Sequence, residues 1–206
     1  MMFVSLFLFG FFFSFVGSIT PSMLNMTALK ISLEKGQKET NKYVLGVSLV
    51  VLLQAYVAVF LTKYISENPT ILETLEQAGI FVFAALSVYF YRASKKTKTS
   101  IEGKTETAQQ SFLTGLLLSA FNIFSIPFFC GVIVALEAFA FFTFEAVPVF
   151  FFVVGSFLGT FLILFLYGKF AKRLQRLTGK LTNDINIILA VLTGFIAVFT
   201  AIKTLL

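Results

Sequence analysis

Polar residues whose types and spacing could do chemistry interrupt the apolar runs of this chain in two places. Ser18-Ile19-Thr20-Pro21-Ser22-Met23-Leu24-Asn25 breaks the run that opens MMFVSLFLFGFFFSFV. Hydrocarbon penalises unpaired hydroxyls, amides and backbone groups, so these residues must serve one another, a neighbouring helix or a solute. Proline removes a backbone donor and clashes with the preceding turn. Thr20 suits the cap and Pro21 the first position of a new helix, whose free N–H groups and positive end would receive a carboxylate. The second cluster lies in SAFNIFSIP, residues 119–127, where Ser119, Asn122 and Ser125 precede Pro127. Asn122 and Ser125 could accept from an ammonium. Binding a small zwitterion is the chemistry that these groups allow. The alternative for either cluster alone is a proline kink whose hydroxyls bond back to their own helix; two clusters at matching places favour a site.

Bond-making chemistry has little to work with. The chain has no His, one Cys (Cys130) and one Asp (Asp184), which rules out a metal centre of soft or imidazole ligands, an Asp dyad and an intrachain disulfide. The expectation is a protein that is not an enzyme and uses no cofactor. Gln54, midway along an apolar run, is either glue between helices or part of a pathway wall. Of the carboxylates, Glu76 lies deepest in a predicted span; it reads first as a solvated vestibule residue near the outer face and otherwise as the candidate proton carrier.

The elements that must position these residues are membrane helices. Charged residues make up 13% of the 206, against roughly 25% in soluble domains, too few for a water-facing surface. Six apolar runs of bilayer length are predicted near Phe3–Leu29, Tyr43–Leu61, Leu72–Tyr91, Phe112–Leu136, Val147–Tyr167 and Asn186–Leu206. The first reads as a retained span rather than a cleaved leader, because no basic residue precedes Lys30. The fold class is therefore all-α: one polytopic membrane domain over 1–206 with six transmembrane helices. The polar connector 92–110 separates a first three-helix repeat (1–91) from a second (111–206). Three spans per half make the repeats inverted, as in many secondary transporters. On the polar motifs, Ser18 corresponds to Ser119 and Pro21 to Asn122.

Basic residues alternate between connectors. Lys30, Lys35, Lys38 and Lys42 lie in the first, Arg92, Lys95, Lys96, Lys98 and Lys104 in the third, and Lys169, Lys172, Arg173, Arg176 and Lys180 in the fifth. Only Lys63 and Lys203 fall elsewhere. Cytoplasmic loops keep positive charge, so both termini are expected outside. The same placement sets the net charge of +6 to topology rather than to nucleic acid. Gly155 and Gly159, with Ala190 and Gly194, are read as close helix contacts, and most Phe residues as lipid-facing filler.

At Ser18-Ile19-Thr20-Pro21-Ser22-Met23 the chain resembles the LysE/RhtB-type amino-acid exporters, whose first span carries S-x-T-P-G-P; Ser22 and Met23 replace the Gly-Pro. GLLLSAFNIFSIPFF is similar to the family's fourth-span G-x-x-x-(N/S)-x-x-N-P-K, matching at Gly115, Ser119 and Asn122, with Ile123 in place of proline. The connector KISLEKGQKETNKYVLGVSLV resembles the family's basic link into the second span. The resemblance implies export of amino acids or related metabolites, driven by an ion gradient.

The expected function is export of a small zwitterionic metabolite, an amino acid, by alternating access in the bacterial inner (plasma) membrane. The expected substrate-binding residues are Thr20, Pro21, Ser22, Asn25, Ser119, Asn122, Ser125 and Gln54. The partners are the substrate and the bilayer, a homo-oligomer being allowed but not required. The competing reading is a membrane scaffold that transports nothing.

Overall fold

The computed structural model describes residues 2–19, 22–68, 81, 84, 85, 87, 88, 91, 92, 108–122, 124–175, 191, 194, 195, 198 and 202. All regular structure among them is helical: α1 (Met2–Gly17), α2 (Met23–Lys35), α3 (Gln37–Ser66), α4 (Ala108–Ala120), α5 (Ser125–Ala138), α6 (Ala146–Lys169) and α7 (Ala171–Gln175). The helices α3 and α6 are long and apolar enough to cross a bilayer, and α4 with α5 makes a third such element, bent by 60° at its break. The first predicted span is divided into α1 and α2. The third and sixth, Leu72–Tyr91 and Asn186–Leu206, lie largely outside the described residues.

Two compact units form, residues 1–64 with 105–175 and residues 65–104 with 176–206. In the second unit, Gly194 lies against the Ser87 hydroxyl; Ala190 lies outside the described residues. The first unit holds α1, α2, α4 to α7 and nearly all of α3.

Glycine decides how its helices meet. A side-chain carbon at Gly10 of α1 would strike the Phe152 carbonyl of α6, and one at Gly155 or Gly159 would strike the Phe7 or Phe11 carbonyl of α1. The same contact joins α3 and α4, where Gly46 lies on the Phe112 carbonyl and Gly115 on the Tyr43 carbonyl. The correspondence extends to individual residues. Phe7, Gly10, Phe11 and Ser14 recur with identical spacing as Phe112, Gly115, Leu116 and Ser119. Phe152, Gly155 and Ser156 recur as Tyr43, Gly46 and Val47. The recurring contacts thus pair Ser14, one helical turn before Ser18, with Ser119. Helices in lipid gain no hydrophobic drive to associate, so backbone approach at small residues supplies the contact energy.

The hydroxyls buried at the α1–α6 crossing are paired. Ser14 and Thr160, each 2% exposed, share a hydrogen bond of 2.6 Å between α1 and α6. A double-mutant cycle of Ser14→Ala and Thr160→Val, read as thermal stability in detergent, is expected to give a coupling of about 0.6–2 kcal/mol. A value near zero would mean that each hydroxyl finds another partner.

Phe129, Phe142 and Phe152 pack edge to face in the core, with ring centroids 6.2 and 5.4 Å apart. Phe3, Phe12, Phe60, Phe121 and Phe150 are exposed as filler should be. At the corner between α2 and α3, Gly36 takes φ 84°, a backbone region that only glycine enters without strain.

Candidate functional site

The first interruption is closed by its own side chains. The helix α1 ends at Gly17, and α2 starts at Met23 after Ser22, whose extended backbone (φ −113°, ψ 176°) is that of a cap. Ser22, not Thr20, therefore precedes the new helix, which corrects the start expected from proline geometry. The reason is Asn25. Its Nδ2 donates to the Ser18 carbonyl at 2.6 Å, and its Oδ1 accepts from the Ser22 hydroxyl at 2.7 Å. This staple ties the first turn of α2 back to the end of α1. The Ile19 carbonyl, freed by the same break, accepts from the Tyr167 hydroxyl of α6 at 2.6 Å. The Ser22 hydroxyl, engaged with Asn25, makes no cap bond to the amides that open α2. Thr20 and Pro21 lie outside the described residues.

The second interruption is held from the neighbouring helix. Gln54 of α3 donates from Nε2 to the Ser119 carbonyl at 2.9 Å and to the Asn122 carbonyl at 3.4 Å. The Ser119 hydroxyl donates to the Val47 carbonyl of α3 at 3.3 Å, and Asn122 Nδ2 to the Ser125 hydroxyl at 2.8 Å. Pro127 stands in the first turn of α5, where its missing N–H costs nothing. Tyr167 and Gln54 thus do equivalent work: each is a donor sent from a long helix into the carbonyls of the broken one beside it.

The two interruptions share a wall. Gly17, the last residue of α1, lies against the ring of Phe128 in the first turn of α5. On one side Ser22 and Asn25 form one network with the Ser18 carbonyl, and on the other Ser119, Asn122, Ser125 and Gln54 form a second.

Tyr167 escaped the sequence reading, although a tyrosine within an apolar helix needs a partner for its hydroxyl, and that need marked it. Glu76 lies outside the described residues. Glu39, in the first turn of α3, is largely enclosed and pairs with Lys42 at 2.8 Å. An acid there also complements the helix dipole. A groove of about 590 Å³ runs between α3 and α6, lined by Leu53, Phe60, Phe144, Phe150 and Val153, with Tyr56 and Lys63 its polar members. It offers an apolar wall rather than groups for a zwitterion.

In a comparison with protein families, the family model described as LysE type translocator matches residues 15–204. No curated protein and no solved structure matches the chain.

Proposed function

The chain belongs to the LysE type translocator family, and from that premise we propose that it exports a small zwitterionic metabolite, in the first instance an amino acid. A membrane-embedded translocator rather than an enzyme is what the family and the apolar helices support. The observation that carries the proposal is the pair of broken helices with buried polar groups. Asn25 and Gln54 are 1% and 8% exposed, and each satisfies carbonyls released by an interruption.

In this reading the six spans form two inverted three-helix repeats in the inner membrane, with both termini outside. Support comes from the recurring glycine contacts and from FLFGFFFS against FLTGLLLS, residues 7–14 and 112–119. The amides that open α2 would take the substrate carboxylate, and the turn between α4 and α5 its ammonium. Thr20 and Pro21 belong to the same site. Access alternates as one repeat rocks against the other. A zwitterion carries no net charge. Any voltage dependence, about 2.3 kcal/mol per charge per 100 mV, therefore comes from a co-moving ion, for which Glu76 is the proposed carrier.

Metabolite profiling of cells lacking or overproducing the protein tests the proposal. One or a few amino acids should accumulate inside the deletion strain and in the medium of the overproducer. Unchanged pools in both strains would favour a scaffold.

A further inference from the structure

Gln54 carries an atom that the fold leaves unused. Its Nε2 donates to the Ser119 and Asn122 carbonyls at 2.9 and 3.4 Å. These contacts settle the orientation of the amide, because turning it over would set Oε1 against two carbonyl oxygens. Oε1 therefore points the other way, buried and without a hydrogen-bond partner. A buried, unpaired amide oxygen is unfavourable and demands an explanation.

The other unpaired buried atoms among the described residues differ: Glu39 Oε2 belongs to a carboxylate whose Oε1 is already paired with Lys42 at 2.8 Å. Asn25, at the other interruption, uses both its oxygen and its nitrogen. The hydroxyls of Thr62 and Ser111 also lack partners, but a hydroxyl can donate as well as accept and rotates to suit. The Gln54 oxygen can only accept, and its direction is fixed.

Its surroundings say what it would accept. The carbonyl of Ser119 belongs to the last turn of α4, which ends at Ala120. This is the negative end of a helix dipole. Backbone carbonyls of Ser119 and Asn122 converge on the same amide. An acceptor-only group beside a helix C-terminus suits a cation that brings its own N–H.

Resting on the exporter reading above, we infer that Gln54 Oε1 receives the ammonium of the substrate, with the C-terminal end of α4 supplying the complementary charge. Exported compounds must then carry a free primary amine. The assignment moves the amine from the Asn122 and Ser125 side chains, which engage one another at 2.8 Å, to Gln54.

The test uses the purified full chain in liposomes loaded with an equimolar mixture of the twenty ¹³C-labelled amino acids, or with the matching N-acetyl derivatives. Efflux is read by mass spectrometry. The wild-type protein should move at least one amino acid tenfold or more faster than its N-acetyl form. Gln54→Met, close in length but without the amide, should reduce that preference at least tenfold and raise KM more than it lowers turnover. If both classes slow together at an unchanged ratio, Gln54 is only a clamp on the broken helix and the inference is overturned. Should Gln54→Met fail to insert, Gln54→Lys keeps a donor for the Ser119 and Asn122 carbonyls but puts a fixed cation where the substrate amine would sit. It is expected to lower the preference for the free amine at least tenfold, and an unchanged ratio there also overturns the inference. Exported amino acids with an unaltered Gln54→Met preference would sink the ammonium site alone; a wild-type protein that moves neither mixture sinks the export reading with it.

Discussion

Replacing Gly115 with valine is expected to destabilise the folded protein strongly, whereas Gly131→Val is expected to leave it intact. At Gly115 the first carbon of any side chain lands on the Tyr43 carbonyl, with the Val47 amide 3.1 Å away. Both are backbone atoms of α3 and have no rotamer by which to retreat. Only separation of the two helices relieves the overlap, and that removes the close approach from which lipid-embedded helices draw their contact energy. It also parts Ser119 from Val47 and Gln54 from the second interruption. Overpacking of this kind costs about 3 kcal/mol or more, roughly 6–12 °C in melting temperature for a chain of this size. Gly131 has no atom within 4 Å of the same position, so its valine measures helix propensity alone. Gly10→Val and Gly46→Val should match Gly115→Val, since the contacts recur. Thermal stability by size-exclusion in detergent decides the matter: equal behaviour of Gly115→Val and Gly131→Val would refute the crossing.

Part of this architecture was legible in the sequence. The interruptions were visible because Pro21 and Pro127 announce them in apolar runs, and Gly155 with Gly159 announced a close contact. The glycine contacts give a register between the halves different from that of the polar motifs. Polar residues around a break shift by a turn when the helix resumes at a different place, and α2 resumes only at Met23. Glycines at a helix crossing cannot shift, because backbone of the partner occupies the space. FLFGFFFS and FLTGLLLS carry the register of the glycine contacts. The roles of Asn25 and Tyr167 were hidden for a different reason. An asparagine in an apolar run looks the same whether it faces a solute or bonds across seven residues to Ser18, and the Tyr167 bond to Ile19 spans most of the chain. Composition and periodicity carry no record of such contacts.

Asn25→Leu is expected to cut export severalfold while the protein still inserts and folds. Leucine has the same branched heavy-atom skeleton as asparagine, with bulkier methyl ends, and takes the place that Asn25 occupies, 1% exposed. Lipid insertion is not hindered. Two hydrogen bonds are lost, however, leaving the Ser18 carbonyl and the Ser22 hydroxyl without the partner they have now. The Ser18 carbonyl is part-buried, and stripping it of its partner costs about 1–3 kcal/mol, whereas Ser22 is exposed and its hydroxyl can take another partner. That is enough for Ser18 to resume bonding along α1 and for the link to α2 to change path. At 1.36 kcal/mol per tenfold, transport should fall by about 5-fold or more. Asn25→Asp separates the two halves of the staple. It keeps the acceptor for Ser22 but sets a carboxylate against the Ser18 carbonyl, so it should impair export as severely despite its near-identical shape. Efflux from preloaded cells, normalised to folded protein in the membrane, is the measurement. If both variants export normally, the staple is not what shapes the first interruption, and Tyr167 at Ile19 must hold it alone. If Asn25→Asp alone exports normally, the Ser22 contact suffices and the bond to Ser18 is dispensable.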